Sequence, residues 1–342
     1  MWEVVFNMSL RMPIIGELSS SSVIGRHPLN PILDASRVPY PTALVFNAGV
    51  TKFNGRYVMI FRNDYGSPEE QTLEPHHTTD LGVAFSSDGI HWDVQPKPCF
   101  KLYDEEIVRA YDPRLTVIDG RCYMCFAVDT HHGIRGGVAV TDDFISFEIL
   151  SLSTPDLRNM VLFPETIGGN YVRLERPFTV YSRGGVDRFD MWISESPDLK
   201  YWGNSDLLLA VEQVPFANDK IGPAAPPIKT AKGWLTTFHA VDIDSRRGKN
   251  GWEDAWKKRY TAGLMLLDLE NPRKIVGMYR EPLLVPELQY ETEGGFRNNV
   301  IFPGGMVQED DGEVKIYYGA ADTVECLASA HIDDLLKLCL ES

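Results

Sequence analysis

The sequence predicts an all-β protein, folded as a five-bladed β-propeller with an N-terminal extension and a short C-terminal helix. Three observations lead there. A degenerate two-part pattern recurs five times along the chain. Each copy holds a glycine turn of the kind that joins antiparallel strands. The 22 prolines and 11% aromatic residues suit many short strands and turns better than long helices.

The first half of each copy is a short run, a glycine turn and an apolar-aromatic strand. The second half is a strand of small residues, a polar turn with Asp or Pro and often an aromatic. Copy one has Asn54-Gly55 before Tyr57–Phe61, then Leu81–Phe85 and Ser86–Trp92. Copy two has Asp119-Gly120 before Cys122–Val128, then Gly137–Val140 and Thr141–Phe147. Copy three has Gly168–Asn170 before Tyr171–Leu174, then Met191–Ser194 and Glu195–Trp202. Copy four has Lys232-Gly233 before Trp234–His239, then Ala262–Leu267 and Asp268–Pro272. Copy five has Asp311-Gly312 before Val314–Tyr318, then Leu327–Ala330 and His331–Asp334. Four antiparallel strands per copy, repeated radially, make a propeller. A large β-sandwich is the alternative, and the repeat disfavours it.

Residues 1–40 lie outside the repeats and read as an extension packing on the propeller or on a neighbouring subunit. Residues 41–342 form the catalytic propeller domain. Asp333–Leu340 reads as a short helix on the last blade. Asp242–Lys258, rich in charge, Gly and Trp, reads as a loop, either solvated or an active-site flap.

The net charge of −15 argues against nucleic acid or an anionic membrane as a partner. It leaves room for a small anion held by local cations. No secretory signal opens the sequence and no apolar run is long enough for a membrane span, so a cytoplasmic protein with reduced thiols is expected. Cys122 and Cys125 form C-x-x-C, but three residues along a strand they face opposite ways, and no second pair completes a zinc site. The pairs His76-His77 and His131-His132 are poor ligand sets for the same ion. No metal or organic cofactor is expected. The nucleotide glycine motif, H-E-x-x-H and G-x-S-x-G are all missing.

Loops at the blade entrances are where a propeller places its chemistry. In Arg109–Arg114, Asp112 stands beside a proline between arginines, which suits a positioned acid. On that motif alone an ordinary turn aspartate is the better reading. Asp156–Glu165, Leu174–Pro177, Asn218–Pro223 and Thr237–His239 offer Arg158, Arg176, Lys220 and His239. Arginine forks match phosphate oxygens and lysine adds a point charge. Taken singly, each is better read as a surface charge or a salt-bridge partner.

Several strings together resemble glycoside hydrolase family 130, the β-mannoside phosphorylases and related hydrolases, from about Asn30 onward. They are Phe46–Val50, Phe61–Asp64, Tyr111–Arg114, Val161–Glu165, Arg176-Pro177, Ser196–Leu199 with Trp202-Gly203, Lys220–Gly222 and Tyr317–Thr323. The resemblance implies a five-bladed propeller with Asp112 as proton donor. It implies that Arg158, Arg176, Lys220 and His239 bind phosphate. Asn47, Arg62, Asp64, Tyr111, Asn159 and Asp322 match positions that resemble sugar contacts. Thr166 departs from the lysine that many relatives carry, which bears on subtype.

An inverting glycosidase needs an acid and a base carboxylate; a phosphorylase needs one acid, because phosphate is itself the nucleophile. The basic set, which the hydrolytic branch lacks, favours phosphorolysis with inorganic phosphate as co-substrate. The resemblance further implies a proton relayed through the mannose 3-hydroxyl, α-mannose 1-phosphate as product, and a homo-oligomer. Ala217–Pro227 and Gly294–Val300 look most like the branch acting on β-1,4-mannosyl-glucose. A β-1,4-mannooligosaccharide phosphorylase and a β-mannoside hydrolase on the same fold are the alternatives, and a non-catalytic carbohydrate-binding propeller is a distant one.

Overall fold

The computed structural model describes residues 15–67, 70, 78–178, 188–247 and 256–341. The first strand, β1 (Gly25–Arg26), precedes the repeats. Blade one is β2 (Leu44–Phe53), β3 (Arg56–Asp64), β4 (Thr79–Ser86) and β5 (Asp93–Val94). Blade two is β6 (Ile107–Ile118), β7 (Arg121–Thr130), β8 (Gly133–Thr141) and β9 (Glu148–Leu152). Blade three is β10 (Leu157–Leu162), β11 (Tyr171–Pro177), β12 (Met191–Ser196) and β13 (Gly203–Leu209). Blade four is β14 (Lys220–Pro223), β16 (Gly233–Ile243), β17 (Lys258–Leu267) and β18 (Ile275–Met278), with β15 (Ile228–Thr230) also paired to β16. Blade five is β19 (Ile301–Gln308), β20 (Glu313–Ala320) and β21 (Val324–His331), completed on its outer edge by β1.

The repeat is thus an all-β propeller of five blades, and local chemistry explains its period. Asn54-Gly55 and Asp119-Gly120 both take positive φ, at 50° and 77° and at 49° and 77°, which joins β2 to β3 and β6 to β7 tightly. The polar turn after each third strand is the same device in four blades. The carboxylates of Asp88, Asp143, Asp198 and Asp268 each accept two backbone N–H groups two and three residues ahead, at 2.8 to 3.0 Å.

Adjacent blades meet across apolar seams. Val58, Ile60, Met124 and Phe126 fill the one–two seam, and Leu174, Ile193, Trp234 and Phe238 the three–four seam. Cys122 packs in the one–two seam and Cys125 in the two–three seam, on opposite faces of β7. All five cysteines are free.

The sequence reading of residues 1–40 as lying outside the repeats changes at residues 25–26. Gly25 pairs with Ser329 and Arg26 with Ala328, so this segment supplies the strand that the fifth copy lacks. Residues 1–14 lie outside the described residues. Arg26 donates to both Glu291 oxygens, at 2.7 and 2.9 Å. Glu291 is completely buried and also accepts from the Tyr318 hydroxyl and two backbone amides. The C-terminal helix, Ile332–Leu340, buries Leu335 and Cys339 between blades four and five rather than on the last blade alone. The expected loop 242–258 is shorter than read: its ends belong to β16 and β17, and residues 248–255 lie outside the described residues.

Arg26→Ala is expected to destabilise the protein by about 3 kcal/mol, because it strands a buried carboxylate. Urea unfolding of the two proteins measures it.

Candidate active site

The five innermost strands β2, β6, β10, β14 and β19 converge on the axis, and the same interruption recurs in four of them, all but β14. The register slips between Phe46 and Gly49, Tyr111 and Arg114, Arg158 and Val161, and Pro303 and Gly305. At the slip Asn47, Asp112 and Asn159 take φ of 53°, 53° and 57°. That left-handed region costs most residues roughly 1–2 kcal/mol, and Asn and Asp tolerate it best. A bulge re-aims its side chain. Three blades therefore present an amide or carboxyl at one equivalent point facing the channel. The matching positions in blades four and five are Pro223 and Pro303, whose rings fix φ as negative.

The neighbouring positions repeat too. The residue just before Asn47, Asp112, Asn159, Pro223 and Pro303 pairs with Arg62, Ala127, Arg176, His239 and Gly319 in blades one to five. Arg62, Arg176 and His239 are thus the same position in three blades.

A cavity of 490 Å³ opens at this end of the channel. Ten of the eleven residues singled out from the sequence line it: Asp112, Arg158, Arg176, Lys220, His239, Asn47, Arg62, Tyr111, Asn159 and Asp322. Asp64 does not. It lies buried behind Arg62, accepting from Nε at 2.9 Å and from Nη2 at 2.5 Å, and holds that guanidinium between the rings of Phe46 and Tyr111.

One side of the cavity is acidic. Asp112 Oδ1 accepts from Asn47 Nδ2 at 3.1 Å and lies 3.5 Å from Arg62 Nη1. Asp322 lies 3.4 Å from Arg297. Burial pushes the Asp322 carboxyl up to about 6, with Asp112 adding to the rise and Arg297 and Arg62 opposing it. Asp129 also lines the cavity but is taken up by Arg109 and the Tyr111 hydroxyl, each at 2.7 Å.

The other side is cationic. Arg158, Arg176 and Lys220 meet there beside His239, and among the described residues none of the three cations has an ion pair with a carboxylate. Arg158 Nε, Arg176 Nε and His239 Nδ1 are buried without a hydrogen-bond partner among the described residues. Burial and then Arg158 push the Arg176 guanidinium down to about 9. Burial, Arg176, Lys258 and Arg158 hold Lys220 well below the lysine range. Burial, Arg176 and Lys220 keep His239 neutral, and its Nε2 accepts from Arg176 Nη1 at 3.3 Å. Such a cluster binds an oxyanion.

Trp256, Tyr260, Phe296 and Phe302 add aromatic wall, and the sequence reading missed them, along with Asp129. Asp129 had a usable signal. It pairs with the residue three before Asp112, as Asp64 pairs with the residue three before Asn47. His131-His132 lie in the turn between β7 and β8, and His76-His77 fall outside the described residues. Among the described residues no group of three or more His, Cys, Asp or Glu could hold a metal ion, and no helix is long and apolar enough to cross a membrane.

The unfolded chain binds the Lys220 and Arg176 protons more tightly than the folded one does. Stability without a bound anion is therefore expected to rise as pH climbs from neutral towards about 10. Lys220→Met should flatten that slope and raise the neutral-pH melting temperature. Thermal melts across the range read both.

Known proteins resemble this chain in sequence and fold. The family model of glycosyl hydrolase family 130, described as beta-1,4-mannooligosaccharide phosphorylase, matches residues 29–341. A beta-1,4-mannooligosaccharide phosphorylase of Ruminococcus albus is 34% identical over 92% of this chain and 90% of its own. A more distant 4-O-beta-D-mannosyl-D-glucose phosphorylase of Bacteroides fragilis is 28% identical over 86% of this chain and 75% of its own. The structure of a beta-1,2-mannobiose phosphorylase from Listeria innocua in complex with beta-1,2-mannobiose superposes with a TM-score of 0.77. It is 25% identical, with 93% of this chain and 99% of that one covered.

Proposed function

Since the chain belongs to glycoside hydrolase family 130, we propose that it is an inverting β-mannoside phosphorylase. One observation carries the reading: a single positioned carboxyl, Asp112, shares the cavity with three cations that have no carboxylate partner among the described residues. A hydrolase would need a second carboxylate free to activate water. Asp129 and Asp322, the other carboxylates lining the cavity, are held by Arg109 and Arg297.

Inorganic phosphate sits on Arg158, Arg176 and Lys220, and neutral His239 adds a hydrogen bond. The mannosyl residue lies between this cluster and Asp112, with Asn47, Arg62 and Asp322 at its hydroxyls. A phosphate oxygen attacks the anomeric carbon as the glycosidic bond breaks. Asp112 supplies the proton that the leaving oxygen takes, by way of the mannose 3-hydroxyl. The products are α-mannose 1-phosphate and the shortened acceptor. Apolar walls keep water from competing.

For the acceptor, a β-1,4-mannooligosaccharide is the first reading, because the relative named for that substrate is 34% identical and the family model carries the same description. The β-1,4-mannosyl-glucose expected from the sequence becomes the second reading, supported by the relative at 28%.

Incubation with β-1,4-mannobiose, with and without phosphate, is expected to yield mannose 1-phosphate only when phosphate is present. Free mannose formed in its absence would mean hydrolysis. Asp112→Asn should lower kcat by roughly 10²–10⁴-fold. Lys220→Ala should raise the KM for phosphate at least about tenfold while barely moving that for the mannoside; unchanged phosphate dependence would remove Lys220 from the pocket.

A further inference from the structure

Outside the catalytic cavity, blades two and three part around a second cleft of 670 Å³. Apolar packing closes only part of this seam, through residues such as Tyr123, Val138, Met160 and Leu162. Alternation along β11 explains the rest. Val172 and Leu174 enter the core with blade four, and Arg176 enters the catalytic cavity. The intervening residues, Arg173, Glu175 and Pro177, line the cleft.

The cleft floor is therefore polar and its sides are aromatic. Arg173 Nε donates to Glu175 at 2.6 Å and to the Ser194 hydroxyl at 3.1 Å. The Arg173 guanidinium lies 3.9 Å from the Trp202 ring centroid. Both members of the ion pair are buried, with 5% and 7% of their side chains exposed. Burying such a pair in a seam gains little stability over apolar packing. Trp192, Tyr201 and Phe178 add aromatic surface, and Ser151, Ser153 and Ser205 add hydroxyls. A charge-compensated floor beneath aromatic sides suits a neutral, polyhydroxylated ligand: pyranose C–H faces lie on rings and hydroxyls meet the guanidinium and carboxylate.

The cleft also adjoins the catalytic cavity. Gly133 and Ile134 line the cavity, Pro155 and Asp156 line the cleft, and the Ile134 amide donates to Asp156 at 2.8 Å. A single lip separates the two. Phe178 is a further shared wall, lining the cleft while Arg158 and Arg176 lie 5.4 and 5.7 Å from its centroid.

We propose that the cleft between blades two and three is a second carbohydrate-binding site, which takes part of an extended β-mannooligosaccharide. The choice of sugar rests on the β-mannoside reading above; the site itself rests on the cleft.

The test is calorimetry on the full chain without phosphate, using β-1,4-mannohexaose and β-1,4-mannobiose. The hexaose is expected to bind more tightly. Trp192→Ala, and Tyr201→Ala at a side chain already 77% exposed, should each weaken hexaose binding roughly tenfold and leave mannobiose unchanged. Trp192→Phe should restore most of the loss. Competition between the two sugars would place one chain across the lip, and independent binding would place a separate chain in the cleft; both keep the site. Equal affinity for both lengths overturns it, as does hexaose binding unaltered in both alanine variants. Equal loss for both sugars, or a Tyr201→Ala change in oligomeric state with no change in binding, overturns it in favour of a structural or subunit-contact role. Trp192-dependent hexaose binding without mannose 1-phosphate production would keep the cleft and remove the phosphorylase. Phosphorolysis with the same chain-length dependence in wild type and variants would do the reverse.

Discussion

Arg114 is the tie on which the catalytic end of the propeller depends. Five inner strands crowd the axis, where no neighbouring strand is left to satisfy their carbonyls. The buried Arg114 guanidinium fills that gap. It donates to the carbonyls of Asn47, Pro113 and Ala224, at 3.3, 2.7 and 2.6 Å, and so joins blades one, two and four. Two of those carbonyls lie at the slips that aim Asn47 and Asp112. Glycine makes the approach possible: a Cβ at Gly49 would stand 2.9 Å from the Arg114 backbone, and one at Gly304 would run into the Ala48 carbonyl. Glu325, also buried, takes the Ala48 amide at 3.1 Å on the far side. The acid is thus set by backbone constraints shared among blades, and its own side chain has few obligations beyond Asn47 and Arg62.

The opposite wall has a different energetic character. Arg158, Arg176 and Lys220 repel one another in a place poor in water, and folding brings them together against that repulsion. The seam between blades three and four supplies compensating stability through the packing of Phe163, Leu174, Trp234 and Phe238. A dianion entering this space relieves the repulsion and gains the hydrogen bonds that Arg158 Nε and Arg176 Nε otherwise leave unmade. On the proposed reading, phosphate binding draws on the repulsion that folding builds into this wall.

The fold was legible because its repeat unit is written in short-range chemistry. Asn-Gly turns and the aspartate turns after each third strand act over three or four residues, and a sequence shows such distances directly. The cavity residues were legible through the family resemblance, which singled out Asp112 and Asn159, and through the cations Arg176 and Lys220 near the blade entrances; all four line one cavity, whereas the Asp112 motif alone read as an ordinary turn. Other features needed the third dimension. Asp64 stands two residues from Arg62 and on the same face of β3, yet burial behind that guanidinium makes it a support rather than part of the wall. Trp256, Tyr260 and Phe302 reach the cavity from later strands and loops, and their apolar patterns match those of core residues. The strand at Gly25–Arg26 is two residues long, too short for a periodic signal, and its partner lies some three hundred residues away.

That last pairing orders events on the ribosome. A chain made from its N-terminus exposes Gly25 and Arg26 long before Ser329 and Ala328 exist. Blades one to four can each form their hairpins as they emerge, since their strands are consecutive. The fifth cannot acquire its outer strand until nearly the whole chain has been synthesised, and only then does the first-made segment find its place. Closure of the ring through β1 therefore waits on residues 328 and 329. A chain that stops short of residue 328 keeps an open edge on blade five, and one that stops short of residue 291 also leaves Arg26 without Glu291.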